Sequence, residues 1–155
     1  MHYARSSEKS MTDHGTAPAD RDSVQFMPIL VVDDCKSFLQ RMCKILPWRT
    51  ETALSLDEGL ERTRELLPSV ILLDVRFKDT PMRNGIDAIR DFKLISPETQ
   101  VVVATGLYDR IDQRRAINAG ALSYVEKSRE DVLRALVYAA LKYSEPGSLL
   151  SGLPQ

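Results

Sequence analysis

Pro68-Ser-Val-Ile-Leu-Leu-Asp74 sets four apolar residues in a row between a proline and a carboxylate. A continuous apolar run this short suits a strand covered on both faces, as in a parallel sheet. The acid at its end then lies at the carboxyl edge of the sheet, where open α/β sheets place their ligands. Fold and function both turn on which other residues reach that edge.

The flanking sequence alternates short apolar runs with amphipathic segments. Towards the N-terminus, Pro28-Ile-Leu-Val-Val-Asp33 reads as a buried strand. A helix over 35–46 follows, with Phe38, Leu39, Met42, Ile45 and Leu46 as its apolar face and Pro47-Trp48 as its stop. Residues 50–54 suit a short, more polar strand. Ser55-Leu-Asp-Glu58 is a capping box, opening a helix that runs to Leu67 with Leu56, Leu60 and Leu67 inward.

Beyond Asp74, a loop over 75–84 carries Pro81. A helix over 85–95 follows, with Ile86 and Ile89 on its core side and Ser96-Pro97 as its stop. Gln100-Val-Val-Val-Ala-Thr105 is another buried strand. Tyr108 or Asp109 starts a helix that ends at Ala119-Gly120, the glycine suiting a left-handed stop. Residues 121–126 form a fifth strand. Ser128 caps a last helix over 129–143, with Val132, Leu133, Leu136, Val137, Ala140 and Leu141 as the buried stripe. The order is βα five times over, and right-handed crossovers make it a doubly wound, five-stranded parallel sheet. Residues 27–143 form one domain. Residues 1–26 are polar and aperiodic and are expected to be a disordered arm, and 144–155 a short flexible tail.

Composition narrows the function classes. Among 155 residues, the net charge of −1 gives no electrostatic case for nucleic acid or an anionic membrane. No run approaches the roughly 18 apolar residues of a membrane span, and the N-terminus lacks an apolar signal core. A cytoplasmic location is the default expectation. Both histidines, His2 and His14, fall in the arm, which excludes a histidine metal site or catalytic triad within the domain. Cys35 and Cys43 share one helix with Cα atoms about 12 Å apart, beyond the roughly 7 Å reach of a disulfide. They read as small core or boundary side chains.

Four strand ends carry polar residues of complementary kinds: Asp33-Asp34, Asp74, Thr105 and Lys127. In a parallel sheet these ends converge on one edge. Neighbouring carboxylates repel unless a positive charge sits among them. A hard divalent cation with oxygen ligands answers that need, and Mg²⁺ would keep waters and share a phosphate oxygen. Lys127 adds a fixed charge and Thr105 a hydroxyl, so the set resembles a site for an anion beside a metal. Blander roles also fit singly: Asp34 as the N-cap of the first helix, Asp74 and Lys127 as a structural ion pair, Tyr124 as core packing.

The residues Val31-Val-Asp-Asp34, Val70-Ile-Leu-Leu-Asp74, Pro81-Met-Arg-Asn-Gly85, Val103-Ala-Thr-Gly106, Asn118-Ala-Gly-Ala121 and Tyr124-Val-Glu-Lys127 resemble the receiver domains of two-component response regulators. The likeness spans nearly all of the folded part. It implies a flavodoxin-like, CheY-like (βα)5 fold with strand order 2-1-3-4-5. It also implies that Asp74 accepts a phosphoryl group from a phosphohistidine on a sensor histidine kinase or phosphotransfer protein. Asp33, Asp34, Asp74 and the backbone carbonyl of Arg76 would hold Mg²⁺, and Lys127 would neutralise phosphoryl charge. Thr105 would bond the attached group, with Tyr124 filling the space its loop vacates. The switched face would be the fourth helix, fifth strand and fifth helix, where Arg110, Arg114, Arg115 and Arg129 lie; those arginines equally fit a solvated face.

Three departures stand out. The loop after Asp74 is longer than is usual in the family, with Phe77-Lys-Asp-Thr80 as the extra material. Ser128 follows Lys127 where the family commonly has proline, which argues against a cis peptide costing roughly 2.5–4 kcal/mol. Arg76 and Leu107, two past Asp74 and Thr105, are poor at positioning water, so a long-lived phosphorylated form is expected. No DNA-binding segment follows, so the expected protein is a stand-alone regulator. It would not be an enzyme but a phosphoacceptor that assists its own phosphorylation and dephosphorylation. It would contact an unidentified downstream protein, as a monomer or a phosphorylation-dependent homodimer. The rival reading is a pseudo-receiver, a binding module that never takes up phosphate. A flavin protein or a dehalogenase-type phosphatase fits poorly, since Asp33-Asp34 replaces a phosphate loop and Arg76 replaces a second acid.

Overall fold

The computed structural model describes residues 28–144. In chain order the elements are β1 (Ile29–Val32), α1 (Lys36–Ile45), β2 (Thr50–Ala53), α2 (Leu56–Leu66), β3 (Val70–Leu73), α3 (Gly85–Ile95), β4 (Gln100–Thr105), α4 (Arg110–Ala119), β5 (Ser123–Glu126) and α5 (Arg129–Ser144). The strands form one parallel sheet in the order β2-β1-β3-β4-β5. The proposed arm and nearly all of the proposed tail lie outside the described residues.

Alternation along the strands splits the core into two layers. Leu30 and Val32 of β1, with Ile71 and Leu73 of β3, face Leu56 of α2, Ile86, Ile89 and Phe92 of α3, and Ala116 of α4. Ile29, Val31, Val70 and Leu72 face Phe38, Leu39 and Met42 of α1 and Val132, Ala135, Leu136 and Ala139 of α5. Both faces of β1 and β3 are therefore dry, which is why their sequences are unbroken apolar runs.

The helix ends follow local chemistry. Ser55 caps α2 through the Glu58 amide, and Asn84 and Asp87 form a reciprocal capping box on α3. Asp109 caps α4 and Ser128 caps α5. Leu46 takes an extended conformation before Pro47 and ends α1, as the ring of a following proline demands. Gly120, at φ 117°, ends α4.

Several expectations are corrected. Leu67 does not point inward: it is the left-handed C-cap of α2, at φ 45°, which turns its side chain out to 57% exposure. On α5 the buried stripe is Val132, Ala135, Leu136 and Ala139, spaced i, i+3, i+4, i+7. Val137 and Leu141 face outward, because the two alanines let the helix close on the sheet along a different line. Asp34 does not cap α1; the N-cap is Cys35. Cys35 and Cys43 are both exposed, not in the core. Phe77, in the loop after β3, is the reverse case: it is 4% exposed and belongs to the core layer of α2–α4. No peptide bond among the described residues is cis, that between Lys127 and Ser128 included.

Gly85 is fixed by close approach. A Cβ there would lie 1.9 Å from the backbone oxygen of Asp74, while the Gly85 amide donates to Val75 O at 2.7 Å. Alanine is favoured over glycine in a helix by about 1 kcal/mol, but this collision is with backbone and cannot be relieved by a side-chain rotation. Gly85→Ala is expected to lower stability by about 1–3 kcal/mol, read as a fall in the urea unfolding midpoint.

Candidate functional site

Register assembles the site. β1 and β3 pair Val32 with Leu73, so the next residues, Asp33 and Asp74, emerge side by side. The backbone continues the ladder beyond the strands: Asp74 N donates to Val32 O at 3.0 Å and Asp33 N to Ala53 O at 3.0 Å. On the far side, Thr105 pairs with Glu126, and Lys127 N donates to Thr105 O at 2.8 Å. Asp33, Asp34 and Asp74 each bring one carboxylate oxygen into a group whose members lie within 4.8 Å of one another.

Lys127 is the cation of this cluster. Its Nζ lies 2.6 Å from Asp33 Oδ2 and 3.3 Å from Asp74 Oδ1, with the Phe38 ring 4.6 Å away. Burial alone would pull the ammonium down, but bonding to Asp33 and the charges of Asp74 and Asp33 outweigh it and hold the lysine above its ordinary pKa. Asp74 moves the other way from a normal acid. Burial, then the adjacent Asp33 charge, push its carboxyl up to about 6, although Lys127 and the Val75 amide favour the ionised form. One lysine thus does not satisfy three acids. Asp33 is 1% exposed and its Oδ2 has Lys127 as its counter-charge. An all-oxygen set with surplus negative charge suits a hard divalent cation such as Mg²⁺.

The remaining candidates are placed as follows. Thr105 is buried at the end of β4, where its Oγ1 donates to Leu107 O at 3.0 Å and accepts from Leu107 N at 3.1 Å. Tyr124 is buried on β5 in edge contact with Tyr108, ring centroids 5.4 Å apart. Arg76 is exposed just past β3. Of the four arginines, Arg110, Arg114 and Arg129 are exposed without an ion pair among the described residues, whereas Arg115 turns to Asp87 of α3 at 3.1 Å. Sequence reasoning missed the Lys78 amide, which donates to Asp34 Oδ2 at 2.9 Å. The signal for it in the sequence was the aromatic Phe77 immediately before it, inside the loop.

A doubly wound parallel domain with three clustered acids at its carboxyl edge, two of them bridged by a lysine, is the class that fold and site define. Residues 29–138 match the model of the response regulator receiver domain, and the chain belongs to that family. It is the receiver domain of a two-component response regulator, a family of phosphoacceptor switches that engage histidine kinases and downstream targets. The acid tolerance regulatory protein ActR of Rhizobium meliloti (strain 1021) is 30% identical over 145 residues, covering 90% of this chain and 73% of ActR. The beryllofluoride-activated NtrC4 receiver domain, solved as a dimer, is 33% identical with a TM-score of 0.67, covering 77% of this chain and 100% of that one. A CheY-like receiver protein from Methanospirillum hungatei JF-1 shares the fold at TM-score 0.69 and 23% identity, over 76% of this chain and 96% of that one. No helix among the described residues is long and apolar enough to cross a membrane.

The raised Asp74 pKa has a consequence for stability. Asp74 binds its proton more tightly folded, at about 6, than at the ordinary 3.8. The native state then holds more protons than the unfolded state between these values, so this group lowers stability as pH rises from about 4 to about 6. Asn at 74 keeps an oxygen for the Val75 amide and removes the charge. In the presence of chelator at pH 7, Asp74→Asn is expected to be more stable than wild type by on the order of 1–3 kcal/mol. The gain should shrink towards pH 4 in chemical denaturation.

Proposed function

We propose that Asp74 accepts a phosphoryl group from the phosphohistidine of a sensor histidine kinase or phosphotransfer protein, in a Mg²⁺-dependent reaction. The observation that carries this reading is Lys127 Nζ lying between Asp33 and Asp74 in a cluster that also holds Asp34. Mg²⁺ held by Asp33, Asp34, Asp74 and the backbone carbonyl of Arg76 would supply charge neutralisation at the phosphoryl oxygens. An Asp74 carboxylate oxygen forms the new O–P bond as the P–N bond to the imidazole breaks, and the imidazole leaves and takes up a proton from water. Lys127 shifts its charge from Asp74 towards the incoming phosphoryl oxygens.

The switch follows from a single proton. The Thr105 hydroxyl has one hydrogen, now given to Leu107 O. Donating it to a phosphoryl group on Asp74 releases that carbonyl and redraws the loop that leads into α4. Tyr124, buried against Tyr108 before the change, fills the space the loop vacates. The responding face is α4, β5 and α5. It exposes Ile111 and Ile117 with Arg110 and Arg114 on α4, and Val137, Tyr138 and Leu141 on α5; a cleft of about 540 Å³ is lined by Tyr108, Arg110, Gln113, Arg114, Ile117 and Asn118. A protein target, or a second phosphorylated copy, is the partner such a mixed apolar and basic surface suits. The setting is the cytoplasm.

The test is incubation with Mg²⁺ and acetyl phosphate, followed by intact-mass measurement. Wild type should gain one phosphoryl group and Asp74→Asn none. A wild type that stays unmodified with this donor and with candidate kinases overturns the proposal in favour of a binding module alone. Decay is the second readout. Arg76 and Leu107 are both exposed and neither orients water well. The phosphorylated form should therefore lose its group more slowly than an Arg76→Asn variant does, measured by the same mass assay over time.

A further inference from the structure

Each of the three clustered carboxylates accepts one backbone N–H, and the donors differ in origin. Asp33 Oδ1 takes the Cys35 amide and Asp74 Oδ1 the Val75 amide, both at 2.8 Å. These donors are one or two residues away, so the local turn alone supplies them. Asp34 Oδ2 takes the Lys78 amide, 44 positions along the chain. Lys127 reaches Asp33 and Asp74, and no ion pair to Asp34 occurs among the described residues. The orientation of Asp34 therefore depends on where the loop after β3 is held. That loop is exposed at Arg76, Lys78 and Asp79, but Phe77 between them is buried in the same core layer as Val75 and Ile86. Directly after it a turn closes, with Thr80 N donating to Phe77 O at 3.4 Å.

We propose that Phe77 and the Lys78 amide are positioning groups for Asp34 as a metal ligand. Phe77 sets the height of the loop, and the amide fixes the Asp34 carboxylate, leaving its other oxygen for the cation. The inference rests on the Mg²⁺ site proposed above. A half-exposed aspartate otherwise samples several rotamers, and ordering it on binding costs affinity. Hydrogen bonds to the ligands themselves are a general source of metal affinity for this reason. The lengthened loop is then a working part of the metal site and not a tolerated surface insertion.

By titration calorimetry of the full chain, Phe77→Ala should bind Mg²⁺ about tenfold more weakly than Phe77→Leu, which refills most of the pocket. In metal-free protein, amide exchange at Lys78 should quicken in Asp34→Ala. Equal affinities within the Phe77 pair overturn the proposal. Unchanged exchange at Lys78 also overturns it. Wild type that binds no Mg²⁺ overturns the metal site itself, which separates the two failures.

Discussion

Lys127 stands between two carboxylates that cannot move apart. The β1–β3 register delivers Asp33 and Asp74 to adjacent positions, and the backbone bonds that continue the ladder past Val32 and Leu73 lock them there. In a buried setting, such a pair is tolerable only with a counter-charge, since leaving a buried charge uncompensated costs about 3–5 kcal/mol. The last strand exists at the right height to bring that charge in. β4 and β5 pair through Thr105 and Glu126, and the bond from Lys127 N to Thr105 O carries the lysine one step past the strand. Behind it, Phe38 of α1 offers a ring face to the ammonium. Sheet order, strand length and the first helix thus all bear on the two ion pairs of Lys127.

The arrangement leaves the acids under-compensated, and that incompleteness is what makes the site receptive. A carboxyl held up to about 6 by burial and a neighbouring charge destabilises the fold at neutral pH, and two dry core layers offset it. The nearby polar groups are differently placed. Thr105 is bonded to its own loop through both lone pair and proton, so any new acceptor must compete with Leu107 O. The acidic cluster gains by taking on positive charge, whereas the threonine could gain a new acceptor only by giving up the Leu107 carbonyl.

Much of this was legible in the sequence, for a physical reason. The fold was readable because fully buried parallel strands leave unbroken apolar runs, and Val70-Ile-Leu-Leu73 and Ile29-Leu-Val-Val32 have no other reading once their flanking stops are seen. The acids and Lys127 were readable because a parallel sheet maps strand ends onto one edge. Periodicity failed where helix faces had to be chosen. On α5, Val137 and Leu141 look as apolar as the residues that are buried, but the small Ala135 and Ala139 decided which line approaches the sheet. Leu67 was misread because its inward direction assumed another helical turn, and a left-handed cap ended the helix first. Asp34 fits the pattern of a helix cap, yet a backbone amide from a distant loop claims it, and no local rule encodes that.

The loop over 75–84 shows how a site can vary without moving its centre. Its two ends meet: Gly85 N bonds Val75 O, and the glycine backbone lies hard against the carbonyl of Asp74. Whatever length of chain lies between, both ends stay fixed, and lengthening a closed loop adds only a slowly growing entropy cost. Extra residues there would not displace Asp74. They would change what is held above the neighbouring acid. Here the loop carries one buried ring, Phe77, and the amide after it reaches Asp34. An unanchored loop of the same length would leave that carboxylate to solvent. The loop contributes to the site through the place where a single aromatic side chain pins its backbone, and only secondarily through the charges it exposes.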